Sequence, residues 1–331
     1  MPKKSQNRSL HAARNTKQDE FYTQLSDIEK ELRHYTKHFK GKTVLCNCDD
    51  PRVSNFFHYF SHNFEKLKIK KLITTCYKNQ QPDLFSKHDS ERAIYLEYNG
   101  DKHGNRVPDP SEIGLHKLRG DGDFRSAECV ALLKEADIVV TNPPFSLFRE
   151  YIGQLIEHSK KFLIIGNHNA ITYREVFTLI RDNSVWLGCT HPVAFVVPDH
   201  YEQRSTRSWR DENGTNWRSL GNACWFTNLD IAKRHEDLTL YKSFDGEGYP
   251  KYDNYEAFEV ARYKDIPCDF DGVMGVPVTF LEHHNPDQFE IIGLIAGNIR
   301  GLAGIPSATG KDGPYLNGKL KYGRILIRRK K

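Results

Sequence analysis

The chain has 331 residues, a formal net charge of +5 and 27% charged side chains, and no apolar stretch approaches the roughly 20 residues of a membrane span. That length holds one large α/β core with room for an addition, and neither a fibrous nor a disordered architecture is needed. The basic start Met1 to Arg8 lacks the apolar segment of a secretory signal, and seven scattered cysteines include no Cys-x-x-Cys pair. A reduced, cytoplasmic protein without disulfides, zinc or a membrane anchor is therefore expected.

Residues 1–18 carry almost no large apolar side chain and read as a flexible basic arm. Ser26 and Glu29 have capping-box spacing before a helix whose Ile28, Leu32, Tyr35 and Phe39 share one face. A short apolar strand, Thr43 to Asn47, precedes a helix from Ser54 to Leu67 with an aromatic stripe, and a second strand runs from Lys71 to Tyr77. Strand, helix, strand is a βαβ unit, which implies a parallel sheet with right-handed crossovers. The stretch 78–119 is polar, with a hairpin between Ala93 to Tyr98 and Leu115 to Arg119.

Alternation then resumes. Ser126 to Leu133 is a helix, Asp137 to Val140 a strand, Leu147 to His158 a helix and Phe162 to Ile165 a buried strand. Thr172 and Glu175 are placed to cap the helix after it, and Val185 to Leu187 and Ala194 to Val197 read as closing strands. Beyond His200, Gly, Asn, Asp, Pro and Tyr become frequent, so a boundary is placed there. The domains expected are the arm at 1–18, a catalytic domain at 19–200 and a target-recognition region at 201–331.

The chemistry is concentrated in Asn142-Pro143-Pro144-Phe145, directly after an apolar strand. Two prolines fix φ and carry no N–H, so the turn is stiff and its carbonyls remain acceptors. The Asn142 amide oxygen beside the Pro143 carbonyl, with the flat face of Phe145, makes a clamp for a planar, amine-bearing base. A Pro-Pro turn can also be a plain structural stop, so context must decide. Two further polar clusters fall at strand ends, Cys48-Asp49-Asp50-Pro51 and Gly120 to Phe124. Ligands of open parallel sheets bind at such ends, although helix capping or turn chemistry would explain each aspartate singly.

Jointly, these features resemble the S-adenosylmethionine-dependent N6-adenine DNA methyltransferases, specifically the EcoRI-type family. The resemblance runs from about residue 17 to the end and is carried by Asp19 to Thr23, Cys46 to Phe57, Gly120 to Ser126, Ile138 to Tyr151, Lys160 to Gly166, Lys251 to Tyr255 and Gly272 to Pro277. It implies a Rossmann-like class I methyltransferase fold, a mostly parallel seven-stranded sheet with helices on both faces, plus an irregular C-terminal recognition region. It implies catalysis by Asn142, Pro143, Pro144 and Phe145, with S-adenosyl-L-methionine held by Phe21, Tyr22, Thr23, Cys48, Asp49, Asp50, Pro51, Asp123 and Phe124. The expected activity is methyl transfer to N6 of a flipped-out adenine in duplex DNA, by a monomer serving a restriction-modification system with or without a cognate endonuclease.

Readout of DNA is expected from Arg204, Arg207, Arg210 and Arg218, interleaved with Trp209 and Trp217 in a loop-like stretch. A solvated loop with two packing tryptophans is the bland alternative. The turn after the first strand has no glycine, which disfavours the left-handed backbone usual in methyltransferases. Gly304 to Lys311 imitates a Walker loop but has the wrong spacing and lacks the following Ser or Thr, while His283 and His284 read as surface or packing residues. RNA adenine or protein glutamine methylation, or a non-catalytic DNA-binding module, are the competing functions.

Overall fold

The computed structural model describes residues 22–48, 54–75, 93–105, 108–109, 111–197, 207–297 and 299–330. Phe21, Asp49, Asp50, Pro51, Arg204 and the basic arm lie outside the described residues. The chain forms two compact units, Met1–Ala170 with Gly188–Leu229, and Ile171–Leu187 with Asp230–Lys331.

Seven strands of a large mixed sheet belong to the first unit, in the order Ile113–Lys117, Ile94–Tyr98, Lys71–Thr75, Thr43–Asn47, Ile138–Thr141, Lys161–Asn167, Ala223–Thr227. The middle four are mutually parallel, and Thr43–Asn47 is buried at all five positions, as expected of a strand covered on both faces. The expectation of a mostly parallel sheet is corrected: three pairings in this series are parallel and three antiparallel. Sequence-adjacent antiparallel strands account for one flank, where Ile94–Tyr98 and Ile113–Lys117 form the predicted hairpin. On the other flank Ala223–Thr227 returns antiparallel to Lys161–Asn167.

Local chemistry sets the helix starts. Ser54 accepts from Phe57 N at 3.5 Å and Ser126 from Cys129 N at 3.2 Å, so both serve as N-caps. Asn63 divides the long aromatic helix into Asn55–His62 and Phe64–Leu67. Two capping boxes fail. The first helix, Leu25–Leu32, begins before Ser26, with Gln24 as its N-cap and no side-chain cap. The helix Arg174–Arg181 likewise starts behind Tyr173 without one, so Thr172 and Glu175 do not form the box.

Glu31 organises the first unit from inside. It is 0% exposed, and its carboxylate accepts from Cys189 N at 2.8 Å, Thr190 N at 2.7 Å, the Thr190 hydroxyl at 2.6 Å and the Tyr35 hydroxyl at 2.8 Å. Burial and the adjacent Glu31 push the Tyr35 phenol far above its ordinary range, so it remains a neutral donor. A Cβ on Gly188 would lie 2.3 Å from Glu31 Oε1 and 2.6 Å from Trp225 Cβ, so this close approach requires glycine.

The second unit contains a four-stranded sheet in the order Phe258–Glu259, Met274–Pro277, Arg324–Arg329, Phe289–Ile295. Within it Arg324 chelates Glu259 while the Tyr252 hydroxyl donates to the same carboxylate, which satisfies a buried charge. His284 packs there, its Nε2 3.1 Å from Phe289 O, and burial pushes its pKa down to about 4 from near 6.5. The imidazole is then neutral when folded, and only the unfolded chain takes up a proton between those values. Stability attributable to this group should be intact above pH 6.5 and fall by about 3 kcal/mol as pH drops toward 4. Urea midpoints across that range should show the slope, and His284→Gln, which keeps a donor to Phe289 O, should flatten it.

Candidate active site

The strand Ile138–Thr141 ends between two parallel neighbours, and Asn142 to Phe145 follow at its carboxyl end. Asn142 is 6% exposed, Pro143 is buried, and Pro144 and Phe145 are half-buried. The chain then turns through Phe145–Leu147, where Leu147 N donates to Pro144 O at 2.9 Å, into the helix Phe148–Glu157. Asn142 Nδ2 donates to Thr23 Oγ1 at 3.2 Å, and Asn55 Nδ2 donates to Thr23 O at 2.7 Å. Thr141 donates its hydroxyl to Asn47 O, and Tyr151 donates its hydroxyl to Asn47 Oδ1. Burial, with Cys48 nearby, pushes the Tyr151 phenol well above its usual range and keeps it a donor. The sequence reading took Asn47 and Tyr151 only as strand and helix positions. The available signal was a polar group in an otherwise apolar run, since buried polar groups must find partners.

Thr23 belongs to a second, small antiparallel sheet ordered Tyr22–Thr23, Ala194–Val196, Asn216–Ser219, Ser208–Arg210. Register partners share a face, so Thr23, Phe195, Arg218 and Ser208 form one row and Tyr22, Val196, Trp217 and Trp209 the other. The Arg/Trp stretch is therefore a β-hairpin from residue 208 onward, correcting the loop-like expectation. The indoles of Trp209 and Trp217 stack at 6.1 Å, and Asp211 closes the turn by accepting from Trp217 Nε1 at 2.8 Å. Arg210 lies on the opposite face from the indoles, as does Arg218. Arg207 and Arg210 are exposed and Arg218 is half-buried, where burial lowers its pKa.

Among the expected cofactor residues, Tyr22 is half-buried and Thr23 is 2% exposed beside Asn142. Cys48 follows the strand Thr43–Asn47 with φ +83°, its N donating to Thr75 O at 3.1 Å. The left-handed conformation that favours glycine is thus adopted by a cysteine, at about 1–3 kcal/mol of local strain. Asp123 accepts from Arg125 N at 2.8 Å and from its guanidinium at 2.9 and 2.6 Å, while Arg125 also pairs with Glu150 at 2.8 Å. Phe124 is 8% exposed and stands edge-on to Tyr151 at 5.1 Å. Gly122 just before them is buried with φ +79°. Two left-handed turns, a fixed carboxylate and an aromatic ring at strand ends suit a nucleoside bearing a charged amino acid. The residues present fit S-adenosylmethionine.

The molecule is thus a mixed α/β protein with a large mixed sheet, in which the buried Asn142 amide, Cys48 and Phe124 follow the ends of strands. The chain belongs to the adenine-specific methyltransferase EcoRI family, whose model matches residues 9–330. It is an adenine-specific DNA methyltransferase, and enzymes of this family use S-adenosylmethionine. It is 49% identical to the type II methyltransferase M.EcoRI of Escherichia coli, covering 100% of this chain and 99% of that protein. It is also 36% identical to the type II methyltransferase M.MgeORF184P of Mycoplasma genitalium and 35% identical to M.MpnI of Mycoplasma pneumoniae, each alignment covering 97% of this chain and 98% of the relative. No solved structure matches. Among the described residues, no helix is long and apolar enough to cross a membrane.

Proposed function

We propose that this enzyme methylates N6 of an adenine flipped out of duplex DNA, with Asn142, Pro143, Pro144 and Phe145 as its catalytic residues. The observation that carries the reading is the buried Asn142 amide, anchored through Nδ2 to Thr23 at the end of a central parallel strand. Asn142 Oδ1 and Pro143 O accept the two N6 hydrogens, favouring a pyramidal nitrogen whose lone pair is directed outward. Phe145 stacks on the extruded base, and the two prolines hold this geometry without offering an N–H that would compete for the amine's lone pair. S-adenosylmethionine supplies the electrophilic methyl group. With the cofactor bound, N6 would displace a neutral thioether from that methyl group and give up one proton to solvent, while Asn142 Oδ1 and Pro143 O hold its hydrogens. Positioning and electrostatics supply most of the effect.

The cofactor is assigned in this reading to Phe21, Tyr22, Cys48, Asp49, Asp50, Pro51, Asp123 and Phe124, whereas the Thr23 hydroxyl is engaged by Asn142. The Rossmann-like class I arrangement agrees with the four parallel strands. The family and the type II relatives support a modification role beside a restriction endonuclease, in the bacterial or phage nucleoid. Labelled methyl offered with duplex DNA, RNA and protein should enter DNA as N6-methyladenine. Label confined to RNA or protein would refute the assignment.

Residues 201–331 are proposed to hold the DNA together with the basic arm, with Arg204, Arg207, Arg210 and Arg218 facing phosphates and bases. The compact first unit extends to Leu229, so the Arg-bearing hairpin is part of the same unit as Asn142. Arg210→Ala should weaken duplex binding and lower the slope of log K against log salt by about 1. Filter-binding titrations at several salt concentrations would measure it, and an unchanged slope would remove Arg210 from the phosphate contacts.

A further inference from the structure

We infer that Thr23 is a positioning residue for Asn142, rather than a cofactor contact. The inference rests on the reading of Asn142 as the amine clamp. An asparagine amide carries an acceptor and a donor on one carbon, and only the acceptor can receive an N6 hydrogen. A flipped amide would set N–H against N–H. The hydrogen bond from Asn142 Nδ2 to Thr23 Oγ1 at 3.2 Å engages one of the two amide N–H groups and sets the NH2 side of the amide toward Thr23, with Oδ1 on its other branch.

Thr23 is itself held from three directions. Its side chain is 2% exposed, its carbonyl accepts from Asn55 Nδ2 at 2.7 Å, and its strand pairs with Ala194–Val196 through Thr23 opposite Phe195. Asn55 opens the helix that Ser54 caps, so the acceptor is fixed by both a helix start and a sheet register. The same row continues through Phe195 to Arg218. A rigid antiparallel sheet therefore connects the amide that grips the base with a hairpin bearing arginines. A threonine suits this position because the hydroxyl accepts while the methyl group fills β-sheet packing space.

The test compares Thr23→Val, which keeps shape and β-propensity but removes the acceptor, with Thr23→Ser, which keeps the acceptor. Single-turnover methylation of a duplex carrying the target site would be measured beside KM for S-adenosylmethionine, duplex affinity and melting temperature. Thr23→Val should slow methyl transfer about tenfold, the worth of one hydrogen bond, while KM for the cofactor and duplex affinity stay within about twofold. Thr23→Ser should recover most of the rate. If Thr23→Val does not fold, Thr23→Ala supplies the same comparison against Thr23→Ser. A raised cofactor KM with an unchanged transfer rate would make Thr23 a cofactor contact and overturn the inference, as would a serine variant as slow as the variant lacking the hydroxyl. Asn142→Ala run in parallel separates the two levels: full activity there would remove the clamp itself, whereas an inactive Asn142→Ala with a normal Thr23→Val removes only the positioning role.

Discussion

Asn142→Ala should reduce methyl transfer by on the order of 10²–10³ while leaving the fold and cofactor binding in place, the loss typical when one preorganised polar group at a reacting centre is removed. The amide is asked for more than contact. In the transition state N6 develops positive charge, so an acceptor on its hydrogens gains strength as the reaction proceeds, which is where an interaction must gain if it is to raise kcat. The structural cost of losing the neutral hydrogen bond to Thr23 is small by comparison, about 1 kcal/mol. Single-turnover assays with saturating cofactor and duplex would isolate the chemical step. A rate within about threefold of the parent would sink the catalytic role of Asn142.

Glu31→Ala should destabilise the first unit by about 3–5 kcal/mol, the penalty for removing one partner of a buried charged network. The carboxylate accepts four hydrogen bonds, two of them from the backbone at the half-buried Cys189 and Thr190, and the alanine variant removes the acceptor all four donors share. The effect should extend to function, because the helix that carries Glu31 follows Tyr22–Thr23 directly and so anchors the acceptor for Asn142. Urea unfolding followed by tryptophan fluorescence would read the loss, and a midpoint equal to the parent's would show that the network carries no net stability. Glu31→Gln should fall between the two, because its NH2 faces donors where an oxygen is needed.

Much of the site was visible along the chain because its chemistry is local. Asn142 to Phe145 sit at a strand end whichever way the sheet is assembled, and Ser54 and Ser126 cap helices through contacts only three residues long. The failed caps near Ser26 and Thr172 have the same spacing as the successful ones, but the first helix starts ahead of Ser26, at Leu25, and the other starts behind Tyr173. Alternation alone gave no way to distinguish the hairpin at residues 208–219 from a loop, since tryptophan and arginine are large residues with polar or cationic ends. Pairing of Trp209 with Trp217 separates them onto opposite faces.

Glu31 marks the boundary of what the sequence can say. Beside Asp27, Glu29 and Lys30 it reads as one more solvent-facing charge, and nothing nearby announces partners 158 and 159 residues away. The sequence by itself determined the βαβ core, the place of Asn142 to Phe145 at a strand end and the family, because period, turn chemistry and a contiguous motif are properties of neighbouring residues. Only the tertiary structure decided that Thr23 sits against Asn142, that Cys48 takes the left-handed turn, and that a buried carboxylate secures the helix between them. Those contacts join segments far apart in the chain, and their energies exist only once burial has removed the competing water.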